Sequence, residues 1–182
     1  MIPAGQPPRP SVNPPEPVSA YVALGANLGD AVAALRQAVI AMNGLPHTHV
    51  LQSSSLYQTA PQGTDSDSEG VVAAPGADYL NAVVELHTGL SASALLDQLL
   101  LIEQAAGRAR PYRNAPRTLD LDLLLYGSAR IDSARLTLPH PRMGQRAFVL
   151  VPLSEIAPDR VSVEQLQAVQ HQPIKRLGPF GG

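Results

Sequence analysis

Cysteine is absent from the 182 residues. That excludes disulfides, thiolate metal centres, iron–sulfur clusters and cysteine nucleophiles, and it is compatible with a reducing cytoplasm. Tryptophan is also absent, aromatics make up 4%, and charged residues 15% against a typical ~25%. So little charge excludes a highly charged disordered chain. With a net charge of -2 and a pI near 6.2, no global field draws polyanions, which argues against a basic nucleic-acid module. No run approaches the ~18 apolar residues of a membrane helix. Met1 to Pro17 lacks the apolar core of a signal peptide. The expectation is a soluble, cytoplasmic, monomeric protein with no membrane and no nucleic-acid partner.

What is present is apolar residue, 45% of the chain. A core of ~150 residues buries about 70% of the surface its unfolded chain exposes. Residues 1–17 hold seven of the 18 prolines and read as a disordered, polyproline-like arm. Residues 18–182 then read as one domain. Val18, Ala20, Val22 and Leu24 alternate as in a strand, which Gly25 to Asp30 breaks, and Asp30 can cap the following helix. Leu35, Val39 and Met42 line that helix, and Gly44 sits at its stop. A second strand is expected over His49 to Tyr57 and a long loop over Gln62 to Asp78, of a length often found in lids. A third strand carries Leu80, Ala82, Val84 and Leu86 on one face. Ser91 opens a helix striped by Leu95, Leu99, Ile102 and Ala106, and Thr118 to Tyr126 forms a fourth strand. The order β-α-β-β-α-β is the ferredoxin-like pattern of an α+β fold, with a mainly antiparallel sheet and helical additions at the C-terminus.

The segment from Arg108 to Leu125 carries the chemistry. On a strand, Leu119, Leu121, Leu123 and Leu125 face the core, while Asp120 and Asp122 project together from the opposite face, roughly 6–7 Å apart. Two such carboxylates repel unless a cation lies between them, and hard oxygen donors favour Mg²⁺, which takes its remaining ligands from water and phosphate. A pair of ions ~3.5–4 Å apart would clamp a polyphosphate. An edge strand with its polar face in water would show the same Asp-x-Asp pattern. Arg108, Arg110, Arg113 and Arg117 lie just before it, in a chain with 13 basic residues of which Lys175 alone is lysine. Guanidinium forks suit bidentate phosphate contacts. A solvated loop would accommodate the arginines singly, but arginines beside a pair of metal-binding acids are better explained together, as a phosphoryl-transfer site. No G-x-x-x-x-G-K-[ST] occurs, so a nucleotide is not held by a P-loop. His47 and His49 lack further ligands and read as ordinary strand residues.

Pro116 to Asp122 (PRTLDLD) resembles the signature of the 6-hydroxymethyl-7,8-dihydropterin pyrophosphokinase family. The likeness runs from Ala20–Gly29 through Tyr57–Pro61, Asp78–Ala82 and Ile102-Glu103 to Leu138–Met143 and Arg146–Leu153, about 140 of the 182 residues. It implies that a pterin hydroxymethyl oxygen attacks the β-phosphorus of ATP and AMP leaves. It implies two Mg²⁺ ions on Asp120 and Asp122, with Arg108 and Arg117 neutralising charge as further catalytic residues. ATP contacts would fall to Arg110, Arg113, Leu123, Arg135, Thr137, His140 and Arg146. Thr59, Gln62, Tyr79, Asn81 and Phe148 would hold the pterin, with Tyr79 and Phe148, which ordinary core packing would otherwise claim, sandwiching its flat ring. Glu103, an acid on an apolar helical stripe, would pair with a site arginine in support. Leu100, Asn114 and Pro141 depart from residues found in many relatives. Two other readings stand beside this one: another Mg²⁺-dependent transferase on the same fold, and a non-catalytic ferredoxin-like module binding, for example, RNA.

Overall fold

The computed structural model describes residues 16–60, 77–107 and 118–180. Most of the proline-rich arm, the bulk of the 62–78 loop with Gln62, and Arg108, Arg110, Arg113 and Arg117 lie outside the described residues.

The chain runs β1 (Val18–Ala26), α1 (Ala31–Asn43), β2 (Thr48–Ser53), β3 (Ser55–Thr59), β4 (Tyr79–Thr88), α2 (Ala92–Ala105) and β5 (Asp120–Tyr126). A small hairpin follows, β6 (Ile131–Asp132) with β7 (Thr137–Leu138), then α3 (Ala147–Ile156), α4 (Val163–Val169) and β8 (Lys175–Pro179). The main sheet has the order β5-β1-β4-β3-β8, with β2 also on β4, and all its pairings are antiparallel. Counting β2 and β3 as one interrupted strand gives the ferredoxin-like arrangement expected. The caps hold too: Asp30 Oδ1 accepts from Ala33 N at 2.9 Å, and Ser91 Oγ from Ala94 N at 3.2 Å.

The differences from expectation have local causes. The second strand is broken at Ser54, whose hydroxyl accepts from Val83 N at 3.0 Å and donates to Ser55 O at 2.8 Å. A side chain stands there in place of a ladder carbonyl. Gly25 and Ala26 do not break β1 but belong to it, paired with Asn81 and Leu80. On β5 the register against β1 jumps from Val22↔Leu123 to Tyr21↔Leu125. Leu124 is the extra residue of this bulge, and the alternation flips after it. Leu125 therefore packs with Leu124 on the far face and not with Leu119, Leu121 and Leu123. The C-terminal part adds a strand, β8, as well as the expected helices.

The sheet separates two cores. Between it and α1 and α2 lie Leu35, Met42, Leu95 and Leu99 against Val22, Val84, Leu86, Leu121 and Leu123. On the other face α3 sets Ala147, Val149, Leu150 and Leu153 against Tyr21, Ala23, Val83 and Leu124. This second core stops at Ala23 and Val83, leaving the end of the face with Gly25, Asn81, Asp120 and Asp122 unfilled by aliphatic side chains. α3 is also pinned by Glu155. Burial would raise its carboxyl's affinity for a proton, but hydrogen bonds from Ser55, Tyr57 and Arg176 outweigh it and hold the pKa below the ordinary value. No buried side-chain nitrogen or oxygen among the described residues lacks a partner.

Leu99 is fully buried between α2 and the sheet. Leu99→Ala is expected to lower unfolding free energy by about 2–5 kcal/mol in denaturant titration. A loss below about 1 kcal/mol would mean that this face does not hold the fold together.

Candidate active site

Register brings the nominated residues together. Tyr57 pairs with Asn81, Asn81 with Gly25, and Gly25 with Asp120, one row across four strands. The flanking row on one side pairs Thr59 with Tyr79, and on the other Val83 with Ala23 and Ala23 with Asp122. Successive side chains alternate faces, so Tyr79, Asn81, Gly25, Asp120 and Asp122 share the face left open beyond the second core. Asn81 is 4% exposed and its Nδ2 donates to Thr59 Oγ1 at 3.0 Å. The side-chain oxygen then lies over Gly25, where a Cβ would sit 3.5 Å away. A Cβ there would make ordinary van der Waals contact with Asn81, so the glycine adds no side chain to the floor but is not sterically required. Sequence reasoning missed this placement, although Gly25 stood in a quoted motif, because it was taken for a strand breaker.

The acidic pair is positioned from the edge. β5 borders the sheet, so one of its edges faces away from β1. There Glu103 of α2, 2% exposed, accepts the backbone N–H of Leu121 at 2.8 Å. Arg146 Nη1 lies 3.8 Å from Asp122 Oδ2, and the same guanidinium sits 5.4 Å over the ring of Phe148. Arg146 therefore touches both a nominated metal ligand and a nominated ring-stacking residue.

Along the outer edge of β5 runs a cavity of about 270 Å³. Asp120 and Asp122 line it together with Leu123, Arg135, Thr137 and His140, all nominated for the nucleotide side, and Glu103. Leu96, Leu100 and Pro141 supply apolar wall. Leu96 and Ser133 were not foreseen; neither residue type carries a signal at sequence level. Arg135 is held by an ion pair with Asp97 of α2. His140 is fixed by its backbone N–H to Leu124 O at 2.9 Å, and its Nδ1 accepts from Arg142 N at 3.2 Å. In the neutral ring the proton is then on Nε2, a donor for an anionic oxygen.

Burial lowers the His140 pKa, the Asp122 carboxylate pulls it back up, and the Arg146 and Arg142 charges push it down again. The net direction is downward, so the native state disfavours the protonated ring. Stability from this group is present above the unfolded pKa and is lost as pH falls through that value toward the folded one. A proton NMR titration is expected to place the His140 midpoint below that of a solvent-exposed histidine, and Asp122→Asn to move it further down. A midpoint that rises in the variant would contradict the charge geometry.

The two carboxylates suit Mg²⁺ by donor chemistry. Among the described residues no cluster of three or more histidine, aspartate or glutamate side chains forms a protein-only cage. Mg²⁺ commonly takes one or two carboxylates and completes its shell with water and substrate phosphates. No helix among the described residues is long and apolar enough to cross a membrane.

Residues 21–158 match the model of the family described as 7,8-dihydro-6-hydroxymethylpterin-pyrophosphokinase (HPPK). The chain is 45% identical over 144 residues to a 2-amino-4-hydroxy-6-hydroxymethyldihydropteridine pyrophosphokinase of Haemophilus influenzae, covering 79% of this chain and 84% of the relative. It is 40% identical over 163 residues to that of Pseudomonas aeruginosa, covering 86% and 95%. In fold it is similar to a crystal structure of a Plasmodium falciparum HPPK-DHPS triple mutant, with TM-score 0.59, 13% identity and 79% of this chain covered. A second solved HPPK-DHPS, in complex with substrates, gives TM-score 0.55 at 13% identity over 78% of this chain. This chain covers 40–41% of the length of those two.

Proposed function

The chain belongs to the 7,8-dihydro-6-hydroxymethylpterin-pyrophosphokinase family, and on that premise we infer that it transfers pyrophosphate from ATP to 6-hydroxymethyl-7,8-dihydropterin, a step of folate biosynthesis. The observation that carries the reading is the row Asn81–Gly25–Asp120. It sets a polar floor beside an acidic pair that borders a cavity of about 270 Å³.

In the reaction the hydroxymethyl oxygen forms a bond to the β-phosphorus of ATP. The bond from that phosphorus to the α,β-bridging oxygen breaks, AMP leaves with the electron pair, and the hydroxyl proton is released. Positioning and charge stabilisation supply most of such a rate. Asp120 and Asp122 would hold two Mg²⁺ ions, which would supply charge to offset that of the triphosphate. Arg146, at the start of α3, faces developing negative charge with the positive end of the helix dipole behind it. His140 donates from Nε2, and Arg135 and Thr137 meet phosphate or ribose from the hairpin wall, beside Leu123. Arg110 and Arg113 add contacts to ATP, while Arg108 and Arg117 neutralise the transferring group. Asn81 offers its amide to the pyrimidinone edge with Thr59 beside it, Gln62 contributes a further contact to the pterin, and Tyr79 and Phe148 take the two ring faces. Glu103 supports the site by holding the Leu121 N–H and by pairing with a site arginine. The enzyme acts as a cytoplasmic monomer without a nucleic-acid partner, its catalytic unit within residues 18–182.

Incubation with ATP, Mg²⁺ and the hydroxymethyl pterin is expected to yield AMP and the pterin diphosphate in equal amounts. ADP as the nucleotide product would point instead to another transferase on this fold. Asp122→Ala is expected to lower turnover by about 10²–10³ or more while folding stability stays within about 0.5 kcal/mol, because the side chain faces the site and not the core. Retained specific activity with loss of the fold would contradict the assignment.

A further inference from the structure

α3 starts with Arg146 and Phe148, and Glu155 lies on the same helix two turns further on. Its apolar face, with Leu150 and Leu153 fully buried, already accounts for docking on the sheet. Apolar contact alone tolerates small slides and rotations; a saturated carboxylate does not. Glu155 Oε2 accepts from Ser55 N and from the Tyr57 hydroxyl, each at 2.9 Å. Oε1 accepts from Ser55 Oγ at 2.7 Å and from Arg176 Nη2 at 3.2 Å. Arg176 of β8 closes the ring by donating from Nε to Ser55 Oγ at 2.9 Å. Each of the carboxylate's oxygens therefore accepts two hydrogen bonds, near its full capacity.

The strand it grips is the one that builds the acceptor side of the site. Tyr57 pairs with Asn81, Thr59 pairs with Tyr79, and Asn81 donates to Thr59. One carboxylate thus links the helix bearing Phe148 to the strands bearing Thr59, Tyr79 and Asn81, with the C-terminal strand as a third anchor.

We propose that Glu155 is a positioning residue: by locking α3 to β3 through Ser55, Tyr57 and Arg176, it sets the separation between Phe148 and the Tyr79–Asn81 floor, and hence the affinity for the flat acceptor. The proposal rests on the reading of that space as the pterin slot. The nucleotide side is affected less: Asp120, Asp122 and the β6–β7 hairpin lie on β5 and its outer edge, and among the described nucleotide-side groups Arg146, the N-cap residue of α3, is the one that rides on the helix.

Steady-state kinetics of the full chain test it, with Glu155→Gln, Tyr57→Phe and Phe148→Ala. Glu155→Gln is expected to raise KM for the pterin about tenfold while KM for MgATP stays within about twofold, since small misplacements act on the group they misplace. Tyr57→Phe is expected to shift the same constant in the same direction. Combining the two is expected to give less than the product of the single effects, because both act through one network. A lowered melting temperature with an unchanged pterin KM would overturn the proposal, as would equal shifts for both substrates. If Glu155→Gln fails to fold, Tyr57→Phe decides alone, and an unchanged pterin KM overturns it. Phe148→Ala separates the two levels. If it raises the pterin KM and neither network variant does, only the positioning role falls; if it too leaves that constant unmoved, the slot itself has been misassigned.

Discussion

A buried carboxylate and the unpaired edge of a sheet each carry a desolvation penalty of about 1–3 kcal/mol or more. In this protein the two meet, Glu103 of α2 accepting the N–H of Leu121 on the open edge of β5. The contact fixes β5 against the helix behind it, at the one strand where a shift by a single residue would exchange the leucine face for the aspartate face. Leu121 and Leu123 then lie in the first core, and Asp120 and Asp122 stand on the opposite side. The acidic pair is thus a consequence of where the leucines must go.

The same division governs the rest of the sheet. α1 and α2 cover one face along its length, whereas α3 covers the other only as far as Ala23 and Val83. Asp122 flanks Ala23 at that limit, and beyond it the face carries Gly25, Asp120, Asn81, Thr59 and Tyr79. A floor of this kind is left free of aliphatic packing from α3. Arg146, reaching Asp122 on one side and Phe148 on the other, connects the charged half of the site with the aromatic half.

Much of this was legible in the chain. Alternation from Leu119 to Leu123 placed the acids, Asp30 and Ser91 announced their helices, and the element order gave the fold. What stayed hidden depended on pairing across distance. Leu123, Leu124 and Leu125 are chemically identical, so nothing in them marks the bulge that turns Leu125 to the second core. The break at Ser54 is decided by its bond to Val83 on another strand. β8, with Arg176, Gly178 and Pro179, shows no strand alternation, and Arg176 meets Ser55, 121 residues away in sequence. Glu155 carries no signal in the sequence, because its partners lie on β3 and β8. Gln62 and the four arginines from Arg108 to Arg117 lie outside the described residues, and their placement rests on the family likeness.

Anomalous diffraction from a crystal grown with Mn²⁺, a non-hydrolysable ATP analogue and the pterin addresses the central claim most directly. The account predicts manganese peaks between the carboxylates of Asp120 and Asp122 and the triphosphate, with the pterin over Asn81 and its hydroxymethyl group toward the β-phosphorus. Manganese bound elsewhere, or those carboxylates turned from the nucleotide, would contradict it.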